Sequence, residues 1–453
     1  MMNRMDSGSY QLTVPGRIKA RRFFRFLLFI GIGGALALMS GGCRSDRSTP
    51  EKPTLVYWSS NNQDEIMLAT EIVAEWNRIH PTITVKHQPV PEGESSEEVI
   101  LAAVVGKTTP DVYSNMWPGD VEAYVRADQL VRFGGFTDFD SVAHERSEEE
   151  VIRQAKSRDG HIYQILWKTN PILLIYNKKM FREAGYENPP KTYDQYLDAA
   201  SKIGRDVDGD GYVDRWVGVT DIRARWRDRL FDFYPLYIAA TGGKTLIENG
   251  DITFHNEQAI GVFRFFQTIY GNGYFPREIN TTRRDFFLHE QAGSRIVGPW
   301  EIIHTEKFKP EGFEYAFSHV PVPEGVQEPY CTYGDYKSIV IFKNTQYPKE
   351  AWEFVQFLIN RQNDLRLLKI ATQLPLRKNL LADPLFQSYF QQNPRMVVFA
   401  EYSRYVRGVD NSPTLKEVFE AISQEFEACV VYAAKSPEDA VRDAAQRARL
   451  ILE

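Results

Sequence analysis

Strand and helix signals alternate along the chain from Thr54 onward, and this alternation constrains the fold more than any other feature. Residues 55–58 form a short apolar strand, and the apolar residues that follow recur at helical spacing until Pro81 stops the helix. Residues 83–85 and 110–113 form the next two strands, with a second helical segment between them. Strands that alternate with helices in this way predict an α/β fold whose parallel sheet is covered on both faces.

A second group of such signals begins after Tyr163. Residues 171–176 form an extended apolar run, and residues 295–297 form a buried strand. Thr192 opens a capping box before one helix, and Ser436 is a good N-cap before the last helix. The C-terminal third is mostly helical, so the strands are concentrated in the first three quarters of the chain.

The first 43 residues carry the features of a secretory leader. Basic residues precede an apolar run at 26–39, which ends in small residues before Cys43. This run of about 14 residues is shorter than the roughly 20 that a membrane-spanning helix needs, so we expect residues 1–42 to be removed.

The cysteine after the small residues resembles the lipid-attachment site of bacterial lipoproteins, although Ser40 stands where that family usually has an aliphatic residue. We therefore predict lipidation of Cys43, with residues 43–53 as a flexible tether, and an extracytoplasmic protein anchored to a membrane. A leader without lipidation is the alternative.

Composition and charge exclude some classes of partner. The chain is 43% hydrophobic and 25% charged, as expected for a soluble globular protein. Its formal net charge is −6, and the leader removes six basic residues and one acidic residue, which leaves the mature chain near −11. This acidic balance argues against nucleic acid or an anionic membrane surface as the main partner. About 400 residues remain after the leader, which predicts two domains.

Two cysteines remain once Cys43 is assigned to the leader junction. Cys331 and Cys429 could pair in an oxidising compartment, but their spacing alone does not show it. Two buried free thiols are the alternative, and neither cysteine lies in a metal-binding or nucleophile motif.

Six short motifs follow one another along the chain: Leu55-Val56-Tyr57-Trp58, Pro110-Asp111-Val112, Leu174-Ile175-Tyr176-Asn177-Lys178, Gly298-Pro299-Trp300, Leu374-Pro375-Leu376-Arg377 and Ser436-Pro437-Glu438-Asp439-Ala440. Their order resembles the extracellular solute-binding proteins of sugar-type ABC importers, the family that includes maltose-binding protein. Each motif alone is weak, but six in register over residues 54–453 are specific.

The resemblance implies a two-lobed periplasmic-binding-protein fold, type II-like, with α/β lobes and a ligand cleft between them. It places lobe 1 at residues 54–168 with 337–380, and lobe 2 at residues 169–336 with 381–453. It also implies a monomer that needs no cofactor and binds no nucleic acid. Such a protein captures a sugar or oligosaccharide by closing on it, and delivers it to ABC permease subunits in the membrane.

The strongest candidate ligand-binding residues lie at predicted strand ends, where open α/β sheets hold their ligands. Trp300 follows residues 298–299, which turn the backbone and aim the ring, and a flat aromatic ring suits the apolar face of a sugar. A tryptophan buried between strand and helix is the alternative. Trp117 and Asp120 lie in the loop after the third strand, where the family often has an aromatic residue and a carboxylate facing the ligand. A solvated loop is the alternative there.

Five further residues are weaker candidates. Ser59 and Asn61 follow the first strand and could bind hydroxyl groups, or form a plain polar turn. Asn170 stands where some sugar binders have a carboxylate, which leaves the identity of the sugar open. Tyr333 and Asp335 lie at a predicted crossover between the lobes, as hinge residues, ligand contacts or both.

The segment 223–229 combines four arginines with Trp226. We interpret it as a solvated charged helix. The alternative is a site for acidic sugars, because guanidinium groups match carboxylates.

A separate group of acidic residues resembles an EF-hand calcium loop. Its oxygen donors would be Asp206, Asp208, Asp210, the backbone carbonyl of Tyr212, and Asp214. The bidentate glutamate at the last position of that loop is absent. The pattern predicts a structural calcium site away from the sugar, and an acidic turn without metal is the alternative.

Two other functions compete with transport. A secreted carbohydrate-active enzyme would need two carboxylates about 5 to 9 Å apart across a cleft, and no motif singles out such a pair. The sequence also has no G-x-S-x-G or H-E-x-x-H motif. A binding protein that feeds a sensory receptor would look the same in sequence, and only its genomic neighbours would distinguish it.

Overall fold

The described part of the chain begins just before the first predicted strand. The structure is a computed structural model that describes residues 52–453, except 92–94, 207, 208, 210, 212, 278–284 and 409. The predicted leader, Cys43 and the tether as far as residue 51 lie outside the described residues.

The elements alternate between strands and helices over most of this length. The strands are β1 (Thr54–Ser59), β2 (Thr84–Pro89), β3 (Val112–Met116), β4 (Ile165–Thr169), β5 (Leu173–Asn177), β6 (Ile247–Glu248), β7 (Asp251–Ile252), β8 (Ser294–Val297), β9 (Tyr315–Ser318), β10 (Thr332–Tyr333), β11 (Lys337–Ile341), β12 (Leu374–Pro375) and β13 (Val406–Arg407). The helices are α1 (Gln63–Ile79), α2 (Ser96–Gly106), α3 (Pro118–Arg126), α4 (Phe139–Arg146), α5 (Glu149–Gln154), α6 (Lys178–Glu183), α7 (Tyr193–Ile203), α8 (Phe233–Ala240), α9 (Glu257–Gly271), α10 (Glu301–Phe308), α11 (Pro348–Leu358), α12 (Arg361–Ala371), α13 (Pro384–Gln392), α14 (Pro394–Tyr402), α15 (Leu415–Phe426) and α16 (Pro437–Leu452).

The larger sheet has six strands in the order β12-β4-β11-β3-β1-β2. β1 is parallel to both β2 and β3, as the strand–helix alternation predicts. β11 is antiparallel to β3 and β4, and β12 is antiparallel to β4, so the prediction of a purely parallel sheet is wrong. The reason is the chain path, because β11 enters this sheet after a long excursion through residues 170–336 and not through a helical crossover on the same sheet.

A smaller sheet has three strands in the order β8-β5-β9, and both of its pairings are antiparallel. All five residues of β5 are buried, which explains the continuous apolar run in the sequence there. Near this sheet the helices form a layer in which α9 contacts α8 and α16, and α16 contacts α15.

The apolar residues pack into separate cores, which define two α/β lobes. One core covers the six-stranded sheet and includes Trp76 from α1 and Phe354 from α11. Another includes Phe263 from α9 and Phe419 from α15. The fold is therefore the two-lobed α/β fold that the motifs predict.

Three helices begin at a capping side chain, and the sequence predicted two of these caps, Thr192 and Ser436. The side chains of Ser95, Thr192 and Ser436 each accept a hydrogen bond from the backbone N–H three residues later. Such a bond satisfies a donor that the first helical turn leaves without a partner. The local signals therefore set where these helices begin.

Two further findings lie outside the cleft. Cys331 and Cys429 are both buried free thiols, so the structure matches the unpaired alternative. Across the ranges that the structure describes, we find no helix with the length and apolar character to cross a membrane.

Candidate ligand-binding site between the lobes

Trp117 lies where the two lobes meet. It follows β3 and precedes α3, whose first residue is Pro118. The ring folds back over Gly119, where an added Cβ would come within 2.4 Å of it. The Trp117 side chain is 3% exposed and packs with the core of the lobe that contains α15. Its Nε1–H donates a hydrogen bond of 3.2 Å to the Tyr333 hydroxyl.

Trp300 lies in a similar strand–turn–helix segment on the other lobe. It follows β8 and the turn at 298–299, and α10 begins directly after it. Here the ring lies over Gly298, where a Cβ would come within 2.2 Å. Trp300 is partly exposed, and its ring meets that of Phe231 edge-on, with 6.0 Å between the centroids.

Trp226 also lies at the site, although in the sequence it was named only as part of the arginine-rich segment 223–229. It begins a short 3₁₀ helix, Trp226–Leu230. Its ring centroid lies 5.1 Å from that of Trp117, so the two rings are in contact across the junction of the lobes. Its position among arginines hid this role, because the surrounding charges suggested a solvated surface.

The interpretation of residues 223–229 as a solvated charged helix holds only in part, because Arg223 and Arg227 are exposed but Arg229 is buried, and the helix is a 3₁₀ helix that begins at Trp226. Arg229 is 1% exposed and pairs with Asp232 at 2.7 Å. Arg225 pairs with Asp228, also at 2.7 Å. Asp221 pairs with Arg223 in the same way, so nearby carboxylates already bind three of the four guanidinium groups that an acidic sugar would use.

Tyr333 and Asp335 lie where the chain passes between the lobes. Tyr333 is 1% exposed, and burial raises the pKa of its hydroxyl, which keeps it protonated beside Trp117. Asp335 has a φ of 33°, in the left-handed region, and its carboxylate lies 3.3 Å from the ammonium of Lys337. Such a backbone conformation in a non-glycine residue persists only where the surroundings fix it.

Asp120 and Lys416 form an ion pair between α3 and α15. The Lys416 Nζ lies 2.8 Å from Asp120 Oδ1 and 3.1 Å from Oδ2. Asp120 is 8% exposed, and burial raises its pKa to about 6, although Lys416 acts in the opposite direction. Lys416 was not predicted as a site residue, since no motif surrounds it.

A buried ion pair joins Lys168 of β4 to Glu65 of α1. The Lys168 Nζ is 2.6 Å from Glu65 Oε2 and 3.4 Å from Asn115 Oδ1. The other Glu65 oxygen accepts a hydrogen bond of 2.7 Å from the Gln373 side chain. Burial lowers the pKa of Lys168, and the Glu65 carboxylate opposes this. These groups supply fixed donors and acceptors near the junction of the lobes.

The remaining predicted residues differ in their surroundings. The backbone N–H of Asn170 donates a 2.6 Å hydrogen bond to the Gly334 carbonyl, and its buried Oδ1 has no partner among the described residues. The Ser59 hydroxyl donates a hydrogen bond to the backbone carbonyl of Ser60 and lies 2.8 Å from His87 Nε2. Asn61 is exposed. Of these three, Asn170 alone combines burial with an unused acceptor, which is what a sugar hydroxyl would use.

The predicted calcium loop is described only in part. Asp208, Asp210 and Tyr212 lie outside the described residues. Asp206 accepts backbone hydrogen bonds from Gly209 and Gly211, at 2.6 and 2.7 Å. Among the residues that are described, no group of three or more His, Cys, Asp or Glu side chains could hold a metal ion. The calcium site, which also includes Asp214, stays a prediction.

These features define the class of protein. Two α/β lobes meet at a junction lined by tryptophan rings and buried hydrogen-bonding groups, which is the architecture of a protein that captures a small solute between its lobes.

The chain belongs to the family of bacterial extracellular solute-binding proteins, whose family model matches residues 71–395. This membership confirms the resemblance found in the motifs and implies a location outside the cytoplasm. It also favours a binding protein over the carbohydrate-active enzyme that was the alternative.

Relatives and solved structures agree with this assignment. The chain is 21% identical to the maltotriose-binding protein of Pyrococcus abyssi over 81% of this chain and 75% of that protein. It is 24% identical to the sn-glycerol-3-phosphate-binding periplasmic protein of Rhizobium meliloti over 83% of this chain and 88% of that one. The solved structure of the cyclic alpha-maltosyl-1,6-maltose binding protein of Arthrobacter globiformis superimposes with a TM-score of 0.74, at 20% identity, over 88% of this chain and 99% of that one.

Proposed function

We propose that this chain captures a sugar or short oligosaccharide between its lobes and delivers it to the permease subunits of an ABC importer. The observation that carries the proposal is the set of aromatic rings at the junction, Trp300, Phe231 and Trp226, beside buried amide and carboxylate groups. A sugar has apolar C–H faces and polar edges, so rings and hydrogen-bonding groups together match it. The name of the Pyrococcus relative, a maltotriose-binding protein, supports the same class of ligand.

The charges at the junction favour an uncharged sugar over a phosphorylated one. Each nearby lysine has a carboxylate partner: Lys168 has Glu65, Lys416 has Asp120, and Lys337 has Asp335. A phosphate would have to displace one of these carboxylates to gain a strong charged contact. We therefore infer a neutral sugar, although one relative is named for binding sn-glycerol-3-phosphate.

A thermal-shift screen of residues 44–453 tests the ligand class. The panel is mono- and oligosaccharides, acidic sugars and sn-glycerol-3-phosphate, each with and without calcium. A ligand that binds the native state raises the melting temperature in a concentration-dependent way. We expect a shift with one class of neutral sugar, and its loss in Trp300→Ala. Trp216→Ala is the matched control, because Trp216 is a partly exposed tryptophan that packs against Phe286.

The same samples separate binding from catalysis. Recovery of the sugar unchanged, by mass spectrometry after overnight incubation, supports a binding protein. A sugar recovered in cleaved form would overturn the proposal in favour of an enzyme, and no shift with any neutral sugar would overturn the ligand class.

We also propose the division of the chain and its attachment. Lobe 1 takes residues 54–168 with 337–380, and lobe 2 takes residues 169–336 with 381–453. The separate apolar cores support this division, since their members fall largely on either side of these boundaries. Lipid on Cys43 would hold the two lobes near the permease through the tether at 43–53.

A further inference from the structure

A second cavity lies apart from the candidate sugar site, where the segment after β12 meets α5 and β13. Its volume is about 410 Å³, and its lining includes Gln154, Tyr336, Leu376, Ala400 and Arg407. Of the described residues that surround it, none belongs to the candidate sugar site. We propose that this cavity is a second ligand site, which binds a small organic anion made of an anionic group on an apolar body.

The floor of the cavity is apolar. Tyr336, Leu376 and Val406 line it, and they pack together in one small core with Ala155 and Leu166. All three lining residues are buried in the fold. An aromatic ring or a branched alkyl group that covered this floor would remove apolar surface from water, which favours binding.

The Tyr336 hydroxyl is a hydrogen-bond donor at this floor. Burial raises its pKa, so the phenol stays protonated. Within the described part of the chain this hydroxyl makes no hydrogen bond, and the positive charge of Arg407 acts on it from nearby. A ligand oxygen would therefore find a donor there that has no competing partner.

Arg407 supplies the charge that an anion needs. Its guanidinium donates a hydrogen bond of 2.8 Å to the Val406 carbonyl, and it forms no ion pair with a described carboxylate. The nearby carboxylate of Glu150 is already bound by Arg153. The Arg407 stem lies beside Gly243, where an added Cβ would come within 3.3 Å of Nε, so the guanidinium is held in place. A guanidinium with free N–H groups can bind a carboxylate through two parallel hydrogen bonds.

The charges around the cavity are positive in balance. The lining has two carboxylates and four cations, which are Glu148, Glu150, Arg377, Lys378, Arg404 and Arg407. Arg377 and Glu150 have ion-pair partners elsewhere. Three cations then remain against one carboxylate, in a mature chain whose net charge is near −11. This local positive excess attracts anions and repels cations.

The groups that would hold the ligand belong to one part of the fold. Tyr336, Leu376 and Val406 share a core, and Arg407 directly follows Val406 in β13. Hinge motion rotates packed units relative to each other and leaves the packing inside each unit in place. The site therefore needs neither a bound sugar nor one particular opening of the sugar cleft.

Isothermal titration of residues 44–453 without sugar tests the site. The probes are phenylacetate, isovalerate and phenyl phosphate, and phenylacetamide is the uncharged counterpart of phenylacetate. We expect one saturable site for phenylacetate and binding of phenylacetamide that is weaker by about tenfold or more, because a hydrogen bond to a charged group contributes at least that factor. Arg407→Gln should weaken phenylacetate binding by a similar factor.

Three further variants locate the bound probe. Tyr336→Phe removes only the hydroxyl and should weaken phenylacetate binding by about threefold or more. Trp300→Ala should bind phenylacetate as wild type does, because that ring belongs to the sugar site. Arg264→Gln is the matched control, since Arg264 forms an exposed ion pair with Glu438 and does not line the cavity.

Several results would overturn the proposal. They are no binding of any of the three anions, equal binding of phenylacetate and its amide, undiminished binding by Arg407→Gln, or loss of binding in Trp300→Ala, which would move the probe to the sugar site. Circular dichroism identifies a variant that has lost its fold, and if Arg407→Gln has, the amide and Tyr336→Phe decide. Failure of the sugar screen would change none of these results.

Discussion

At the scale of single residues, two glycines fix the tryptophan rings of the cleft. Gly119 and Gly298 each lie directly beneath a ring, Trp117 in one lobe and Trp300 in the other. Any Cβ at these positions would overlap ring atoms, so glycine is required for the close approach and not for an unusual backbone angle. The two sequences, W-P-G and G-P-W, are reversed copies of one arrangement.

Gly298→Ala should displace the Trp300 ring and remove its contact with a bound sugar. We expect the sugar-induced thermal shift to fall by most of its size while the ligand-free fold remains, because the clash is confined to the ring. Isothermal titration with the sugar found in the screen measures the loss of affinity. Gly261→Ala is the control, since that glycine of α9 has open space around it and alanine favours helix. Equal affinity of Gly298→Ala and wild type would contradict the prediction.

Asp120 should make stability depend on pH in an unusual direction. Its pKa is raised to about 6 in the folded chain by burial, against about 3.9 for an unfolded aspartate. The folded state therefore holds this proton more tightly, so the Asp120 contribution to the free energy of unfolding falls as the pH rises from about 4 to about 6, by about 3 kcal/mol in all.

Urea unfolding at pH 4.5 and pH 7 measures this contribution. Asp120→Asn should gain stability relative to wild type as the pH rises. Asp232 and Asp410, whose pKa values burial also raises to about 6, contribute equally to both proteins and cancel in the comparison. A constant difference between the two proteins at both pH values would contradict the assignment.

The candidate site was predictable where its signals are local. Trp300 and Trp117 each stand in a short motif at a strand end, which sequence patterns reveal. Lys416 is 296 residues away from Asp120 along the chain and stands in no motif, so only the folded contacts identify it. Trp226 was misjudged for a related reason, because burial of Arg229 beside it depends on distant packing.

At the scale of elements, a buried ion cluster explains the presence of Arg377, the last residue of the Leu374-Pro375-Leu376-Arg377 motif. Asp364 of α12 is completely buried and accepts hydrogen bonds from Arg146 of α4, at 2.5 and 3.2 Å. It also accepts one of 2.8 Å from Arg377. One carboxylate thus joins two helices and the segment after β12, although the motif itself was read only as a family signature.

Asp364→Ala should destabilise the chain strongly. It would leave two buried arginines without their shared carboxylate, and loss of one partner from a buried ion pair costs about 3 to 5 kcal/mol. Chemical unfolding measures the change. Glu314→Ala is the control, since it breaks an exposed pair with Arg182 and should leave the melting temperature nearly unchanged. Equal effects of the two substitutions would contradict the interpretation.

Secondary structure was more predictable than sheet direction. The caps at Thr192 and Ser436 and the parallel strands β1 to β3 follow from local patterns. The antiparallel direction of β11 cannot be predicted in this way. It depends on the path of residues 170–336 through the other lobe, and hydrophobic periodicity carries no information about that path.

At the scale of the whole molecule, the order of the six motifs predicted the two-lobed fold before any contact was known. Composition and periodicity alone reached only an α/β chain with two domains. The closeness of the lobes could not be predicted, since it rests on contacts such as Trp117 with Tyr333 that join residues 216 positions apart.

Cys43→Ser should release the protein from the membrane. Without the thiol, the lipid has no attachment point, so we expect the variant in the soluble fraction and wild type in the membrane fraction. Metabolic labelling with a radioactive fatty acid, followed by fractionation, measures both. Cys429→Ser is the control, because that thiol is buried in the fold. Labelling of the Cys43→Ser variant would contradict the prediction.

The contact between Trp117 and Trp226 gives the molecule an optical signal of its own. The two indoles lie 5.1 Å apart, with Trp117 between β3 and α3 and Trp226 at the start of the 3₁₀ helix Trp226–Leu230. Rings this close couple their electronic transitions, and the coupling would be lost if the hinge motion expected of the fold separated them. Near-ultraviolet circular dichroism should therefore follow opening and closing in real time with no attached dye, which would make the natural chain a label-free sensor for its own cargo.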